Sequence, residues 1–226
     1  MANALTALVV IVGAIAGPLI AMRQLRRPTR WFGTPFALIM NRSHAALAGW
    51  GLQGATIERS FTILDIGCGG GATVKRLARL APRGRVYGVD HASGSVAVAR
   101  AVNAQLIHDH RVEIIQASVS RLPFAPNSID LASAVETQYY WPDPVNDLRE
   151  VRRVLKPGAV LVVIAETQGR ARQGHLQRAV MRLAGSNNPG VDDEREMLTA
   201  AGYVDIHVSE HPTKGWMCAT ARKPLS

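Results

Sequence analysis

A cluster of glycines between two acidic residues is the part of this sequence best suited to chemistry. Four of the five residues from 67 to 71 are glycine, and they follow an apolar run that contains Asp65. Gly67 and Gly69 permit a tight turn and a close approach of the main chain to a ligand, because neither residue carries a Cβ atom. We expect the backbone N–H groups of this turn to face a ligand, at the positive end of the helix that follows.

The spacing of these residues is compatible with three nucleotide cofactors. Gly67-x-Gly69-x-x-Ala72 matches the dinucleotide fingerprint, and Asp90 ends the next apolar run, near the distance at which an acid binds ribose hydroxyls. NAD, FAD and S-adenosylmethionine would each fit this pattern. The Gly-x-Gly-x-Gly spacing and the acid at position 65 favour S-adenosylmethionine, which has no pyrophosphate. Its sulfonium and amino groups are cationic, so they are attracted to a carboxylate.

Glu136 and the aromatic residues after it form a second candidate site. They follow the apolar run 129–135, and ligands of doubly wound sheets lie beyond the carboxyl ends of the strands. Glu136 and Tyr139 are therefore candidate catalytic residues, with Glu136 either orienting a substrate or acting as a base. Tyr139, Tyr140 and Trp141 either shape a pocket, contact a cation through their rings, or pack in the core.

These residues need elements that position them, and the chain alternates apolar runs with amphipathic segments. This pattern predicts an α/β fold with a doubly wound, mostly parallel sheet. Residues 31–52 predict one or two helices, in which the polar stretch 40–44 is either a surface turn or part of a pocket. Glycines at 49, 51 and 54 predict a loose connection to the first strand. Strands are predicted at 61–66, 85–89, 112–116, 129–135, 159–165, 203–209 and 215–221, and helices at 74–80, 93–103, 147–155, 175–183 and 192–201, with a stop at 156–158.

Four motifs in order give the sequence a resemblance to a known family. They are Asp65-Ile-Gly-Cys-Gly-Gly-Gly71, Val89-Asp90, the pair 122–124 and 128–130, and Leu148 to Gly158. The sequence resembles class I S-adenosylmethionine-dependent methyltransferases of the small-molecule type over about residues 40–222. The resemblance implies a seven-stranded Rossmann-like sheet that ends in an antiparallel hairpin, S-adenosylmethionine as cofactor, and N-terminal helices that cover it.

The resemblance also implies which residues bind the cofactor. Many relatives place an Asp two residues past the third strand to bind the adenine amino group, but Ser118 stands there in this chain. Its hydroxyl, or the backbone of Val119, would take that role. The cofactor-binding residues implied by the family are Asp65, Gly67, Cys68, Gly69, Gly71, Asp90, His91, Ser118, Val119 and Glu136. The two cysteines, Cys68 and Cys218, do not show the spacing of a metal site, and no metal is predicted.

The first 28 residues predict a membrane anchor. Leu5 to Met22 contains no charged residue, and as a helix it would rise about 27 Å, enough to span the hydrocarbon core. Four arginines follow, at 23, 26, 27 and 30, which places the C-terminal side in the cytoplasm. Pro18 would kink the helix or break it short of a full span. A monotopic segment and a helix buried in the fold or in a dimer are the alternatives.

The charge distribution argues against a nucleic-acid partner. Formal net charge is +9, but five arginines precede the first acidic residue, Glu58. The rest of the chain has 21 basic and 17 acidic residues, which nearly balance. No basic stripe with interleaved aromatic residues occurs, as nucleic-acid binding would require.

We therefore expect three segments: an anchor-like helix with its basic flank at 1–28, cap helices at 29–56 and a methyltransferase domain at 57–226. The predicted function is methyl transfer from S-adenosylmethionine to a small acceptor, at a membrane with the catalytic domain in the cytoplasm. A nicotinamide-dependent oxidoreductase and a non-catalytic S-adenosylmethionine-binding protein are the alternatives. A nucleic-acid methyltransferase would carry an Asn-Pro-Pro-Tyr type motif after the fourth strand, where Glu136-Thr-Gln-Tyr-Tyr stands instead.

Overall fold

A computed structural model describes residues 44–166 and 190–226 of the chain. Within these residues the strands form one seven-stranded sheet in the order β3-β2-β1-β4-β5-β7-β6. The first five strands are parallel, and β7 is antiparallel to both β5 and β6. The strands are β1 Thr62–Ile66, β2 Arg85–Asp90, β3 Val112–Gln116, β4 Ile129–Val135, β5 Leu155–Glu166, β6 Val204–Glu210 and β7 Trp216–Arg222. The helices are α1 Ala45–Gly51, α2 Ala72–Leu80, α3 Ser93–Val102, α4 Ala104–His108, α5 Pro144–Val154 and α6 Val191–Ala200, with 3-10 turns at Leu52–Gly54 and Gln138–Tyr140.

The predicted seven-stranded, doubly wound sheet with an antiparallel C-terminal hairpin is confirmed. Its central strands are apolar on both faces because helices cover both sides, as a parallel sheet requires. In β1, Ile63 and Leu64 point to opposite faces, and both are fully buried in two separate core clusters. The strand order reverses between β1 and β4, so the ligand-binding edge lies where these two strands end.

Two predicted boundaries were wrong around the fifth strand. Helix α5 begins at Pro144, three residues before its predicted start, because Asp143 caps it by accepting a hydrogen bond from the N–H of Asn146. Strand β5 begins at Leu155, where the sequence predicted a stop at 156–158. Gly158 adopts a φ of 77° there, and the register of β5 against β4 shifts, so this segment is a bulge within the strand.

The predicted loose connection at glycines 49, 51 and 54 was also wrong. Gly49 and Gly51 lie within α1, and Gly54 ends the 3-10 turn that continues it. A Cβ at Gly51 would lie 2.6 Å from the side chain of Ile164, so this glycine lets α1 pack directly on β5. The Cys218 thiol also donates to the carbonyl of Gly51. Gly51 therefore permits close helix–sheet packing.

Several predictions fall outside the described residues. The apolar segment 5–22, its arginines and most of the predicted cap region lie in residues 1–43, and the predicted helix at 175–183 lies in 167–189. Among the helices that the structure does describe, none combines the length and hydropathy needed to cross a membrane.

Candidate functional site

The glycine loop, residues 67–71, connects β1 to α2 and is shaped by three left-handed residues. Gly67, Gly69 and Gly71 have φ values of 67°, 51° and 78°, a region that disfavours any residue with a Cβ. A Cβ at Gly67 would overlap the side chain of Thr137, and one at Gly71 would lie 2.5 Å from Asn103 Nδ2. At Gly69 the nearest atom to such a Cβ is 4.0 Å away. Gly67 and Gly71 therefore let the loop pack closely against Thr137 and Asn103, whereas Gly69 lies on the open side of the loop.

The prediction that the N–H groups of the loop face a ligand was wrong for four of its five residues. The N–H groups of Gly67 and Cys68 both donate to the carbonyl of Val89, and that of Gly71 donates to the carbonyl of Cys68. The Gly69 N–H donates to the Asp90 carboxylate. A pyrophosphate would need such donors. The loop therefore offers space for a ligand and does not offer these donors for phosphate.

Asp90 ends β2 and is held directly beside the loop. Its Oδ2 accepts from the Gly69 N–H at 3.0 Å, and its Oδ1 accepts from the Ala92 N–H at 2.8 Å. Burial raises the pKa of this carboxyl, and the two backbone donors oppose the increase. A carboxylate oxygen has a second lone pair, so Asp90 can accept further hydrogen bonds from a ribose.

Asp65 lies in β1 and is 1% exposed. Its Oδ1 accepts a hydrogen bond from the Ser133 hydroxyl at 2.6 Å, whereas no donor among the described residues reaches its buried Oδ2. Burial is the main cause that raises its pKa to about 7, and the Asp90 charge adds to the increase. A buried carboxyl with an unused oxygen fits a site for a cationic ligand.

The remaining residues that the resemblance implies lie around this centre. Cys68 is buried in the core, and its thiol packs towards β2, so only its main chain shapes the loop. The side chain of His91 is 51% exposed, with Nδ1 3.8 Å from Asp90 Oδ1. Ser118 and Val119 follow β3, which runs beside the Asp90 end of β2. The Ser118 hydroxyl accepts from the Ser120 N–H, and Val119 is buried.

Glu136 follows β4 and forms a second polar centre. Its φ of 55° is unusual for a residue with a long side chain, and its N–H donates to the carbonyl of Ile164. The carboxylate accepts from the Tyr139 hydroxyl at 2.8 Å and from the Glu166 N–H. Burial raises the pKa of Glu136 to about 6, and those two donors oppose the increase. Burial also raises the pKa of Tyr139, which therefore stays protonated as a donor.

The two polar centres are adjacent. Thr137, the residue after Glu136, packs so closely on Gly67 that a Cβ there would overlap it. The carboxyl end of β4 therefore lies directly on the glycine loop, as predicted for a doubly wound sheet. Of the aromatic residues, Tyr139 and Tyr140 stack edge to face with ring centroids 4.5 Å apart, whereas Trp141 is buried in the core. Packing is the role of Trp141.

His44 and Glu166 complete the second centre. His44 Nε2 lies 3.9 Å from Glu136 Oε2, and its side chain is 22% exposed. Burial lowers the pKa of His44, and the charge of Glu166 opposes the decrease. The sequence singled out His44 only as part of a polar stretch, and it missed Glu166. The available signal for Glu166 was an acid at the end of an apolar strand, the same signal that identified Glu136.

A buried Gln–Glu pair supports the turn that carries Tyr139. Gln138 donates from Nε2 to Glu194 Oε1 at 3.0 Å, and Glu194 is fully buried on α6. Burial raises the pKa of Glu194 from 4.5 to about 7, and the Gln138 hydrogen bond opposes the increase. Because the folded-state pKa is the higher one, the contribution of this group to stability is complete below pH 4.5. That contribution is lost as the pH rises through 7.

Comparisons with known proteins agree with this geometry. A family model described as a methyltransferase domain matches residues 64–163. The demethylmenaquinone methyltransferase of Geobacillus stearothermophilus is 29% identical over 69% of this chain and 76% of its own length. The cycloartenol-C-24-methyltransferase 1 of Oryza sativa subsp. japonica is 28% identical over 59% of this chain, and this chain covers 38% of that protein.

A solved structure shows the same fold. The crystal structure of a SAM dependent methyltransferase from Aquifex aeolicus superimposes with a TM-score of 0.70 and 21% identity, over 85% of this chain and 99% of that one. The ordered motifs, the seven-stranded sheet and the family match lead to one conclusion. Residues 64–163 form a methyltransferase domain of the class I S-adenosylmethionine-dependent type, and S-adenosylmethionine is its cofactor.

Proposed function

We propose that this methyltransferase acts on a small apolar molecule, which binds between the glycine loop and the Glu136 centre. The contact of Thr137 with Gly67 carries the proposal, because it brings the polar residues after β4 to the loop that holds the cofactor. The named activities of two relatives, on demethylmenaquinone and on cycloartenol, support an apolar acceptor.

In this proposal the chain contributes binding and orientation more than bond chemistry. S-adenosylmethionine supplies a methyl group already activated by its sulfonium. Asp90 accepts hydrogen bonds from the ribose, and the unused oxygen of Asp65 faces the cationic amino acid portion. Gly69 leaves room for the ligand, and Ser118 and Val119 lie on the adenine side. Alignment of the two reactants and exclusion of water then account for most of the rate.

We further propose that residues 5–22 tether the enzyme to a membrane, with the catalytic domain on the cytoplasmic side. The uncharged run and the arginines that follow it support this arrangement. An apolar acceptor in the bilayer would then be supplied at high local concentration. The tether also explains why the basic excess of the chain lies at its N-terminal end, where anionic lipid headgroups would attract it.

A transfer experiment tests the proposed acceptor class. The full-length protein in detergent is incubated with methyl-tritiated S-adenosylmethionine and a total extract of bacterial membranes and cytosol. The extract is then partitioned between organic solvent and water. We expect enzyme-dependent label in the organic phase. Label that appears only in the aqueous phase would contradict an apolar acceptor, and label in neither phase, with S-adenosylhomocysteine still bound, would favour a non-catalytic binding protein.

A further inference from the structure

We propose that His44 accepts the proton that the methyl acceptor loses, and that Glu136 positions and stabilises His44 for this step. The inference rests on the proposed function and deepens it, because it assigns the chemistry of the acceptor side. Of the two roles predicted for Glu136, it favours orientation over that of the base.

The surroundings of His44 support this role. Glu136 Oε2 lies 3.9 Å from its Nε2, after β4, and Glu166 lies at the end of the neighbouring strand β5. Tyr139 donates its hydroxyl to the same Glu136 oxygen. Arg76 of α2 donates a hydrogen bond to the carbonyl of Ala45, the residue after His44. The imidazole therefore faces two carboxyl groups, and the guanidinium is engaged with main chain.

Glu136 is less accessible to an acceptor than His44, because its side chain is 9% exposed and that of His44 is 22% exposed. Both of its carboxylate oxygens already accept hydrogen bonds, Oε2 from Tyr139 and Oε1 from the Glu166 N–H. Its backbone is held at a φ of 55° by a hydrogen bond to β5. Strained residues of this kind often occur at functional sites, where the surrounding structure fixes them. Glu136 is thus a rigid anion, and the partly exposed His44 is the group that an acceptor can reach.

The proposed step is balanced without any further reactant. A lone pair or carbon nucleophile of the acceptor forms a bond to the methyl carbon, and the electron pair of the breaking C–S bond returns to sulfur, which leaves as neutral S-adenosylhomocysteine. The proton of the acceptor passes to the neutral imidazole of His44. Burial lowers the pKa of His44, so the imidazole is mostly neutral at pH 7 and able to accept. The charges of Glu136 and Glu166 then stabilise the imidazolium.

The inference narrows the acceptor class. A proton acceptor is useful only if the acceptor loses a proton, as a hydroxyl, a phenol or an acidic ring C–H does. A tertiary amine or a thioether, which would become cationic on methylation, has no such proton. We therefore expect an apolar molecule with a protic nucleophile.

The kinetic test compares four full-length proteins, the wild type and three variants, with the same extract as the acceptor source and methyl-tritiated S-adenosylmethionine as the donor. His44→Gln should transfer label to the organic phase about 100-fold more slowly, within the range typical of a general base. Glu136→Gln should slow transfer about 10-fold. His108→Gln is the matched control, because its side chain is 84% exposed beside Asp109 and contacts neither centre. The wild-type protein, His44→Gln and His108→Gln should bind S-adenosylhomocysteine with the same affinity by calorimetry.

The pH profile separates this role from a merely structural one. Wild-type transfer should rise with pH and level off once the imidazole is neutral, and this inflection should be absent in His44→Gln. In addition, the imidazole pKa of His44, followed by NMR on the full-length chain, should fall by at least about 0.5 pH unit in Glu136→Gln, because an anionic neighbour stabilises the charged form.

The outcomes distinguish the two levels of the proposal. Normal transfer and an unchanged pH profile in His44→Gln would overturn the proton-acceptor role and leave the proposed function intact. If the imidazole pKa of His44 were the same in Glu136→Gln as in the wild type, the positioning role of Glu136 would be overturned. No organic-phase label from the wild-type protein, with S-adenosylhomocysteine bound, would overturn the proposed acceptor class and this inference with it.

Discussion

Alanine at Gly69 should weaken ligand binding far more than folding, whereas alanine at Gly71 should mainly weaken folding. Both residues have left-handed φ values, 51° and 78°, so each substitution costs about 1–2 kcal/mol of conformational energy. At Gly71 the new Cβ would also lie 2.9 Å from the Cα of Ala99, which is backbone in α3 and cannot move away easily. Overpacking of this kind adds about 1–3 kcal/mol. We therefore expect a total loss of about 2–5 kcal/mol at Gly71.

The assay combines urea unfolding with calorimetry of S-adenosylhomocysteine binding. Gly69→Ala should lose only the conformational cost of about 1–2 kcal/mol in unfolding free energy. It should nevertheless bind about 10-fold or more weakly, because its methyl group enters the open side of the loop. Gly158→Ala is the matched control. Gly158 has a φ of 77°, its nearest Cβ neighbour is the flexible side chain of Leu225, and it lies near the start of β5.

Two results would refute this reasoning. If Gly69→Ala bound the ligand as tightly as Gly158→Ala, the open side of the loop would not be where the cofactor binds. If Gly71→Ala were no less stable than Gly69→Ala, the packing of the loop on α3 would not limit the size of the residue there.

Three further predictions concern other parts of the chain. Asp90→Ala should weaken S-adenosylhomocysteine binding by about 1.5–3 kcal/mol, and wild-type affinity in calorimetry would remove Asp90 from the ribose. Glu194→Gln keeps an acceptor for Gln138 and cannot ionise, so it should raise unfolding free energy at pH 8 by up to about 3 kcal/mol and change little at pH 5. Equal effects at both pH values would contradict the raised pKa. Deletion of residues 1–28 should give a protein that needs no detergent and still binds S-adenosylhomocysteine; an aggregated product would indicate that the segment packs within the fold.

The sequence predicted the sheet well where the signal was local. The bounds of β3 and β4 were predicted correctly, because each is a short segment with Val, Ile or Leu at alternate positions, flanked by polar or turn residues. The fifth strand was predicted to start late because Pro157-Gly158 normally signals a turn. A bulge accommodates both residues here, and it is stabilised by contacts from β7, including the hydrogen bond from Arg222 to the carbonyl of Gly158. Such long-range contacts do not appear in a local pattern.

The candidate site was predicted in part for the same reason. Asp65, the glycines and Asp90 lie within one βαβ unit, so their spacing alone predicted that they would meet. His44 and Glu136 belong to elements that are far apart in sequence, and only the packing of α1 on β5 brings them together. The direction of the loop N–H groups could not be predicted from the sequence, since it depends on which acceptor each group reaches, whether the Val89 carbonyl, the Asp90 carboxylate or the Cys68 carbonyl.

The electrostatics of the proposed cofactor site favour a methyl donor over a dinucleotide. Asp65, Asp90 and Glu136 are all buried, and burial raises the pKa of each. Asp65 and Asp90 also repel each other, which adds to the cost of ionising both without a ligand. A cationic sulfonium with its amino group offsets that cost, whereas a pyrophosphate would increase the repulsion and would find the N–H groups of Gly67, Cys68, Gly69 and Gly71 already engaged. The same glycine spacing thus selects a cation because of the acids around it, and these acids reduce the stability of the ligand-free chain in favour of binding.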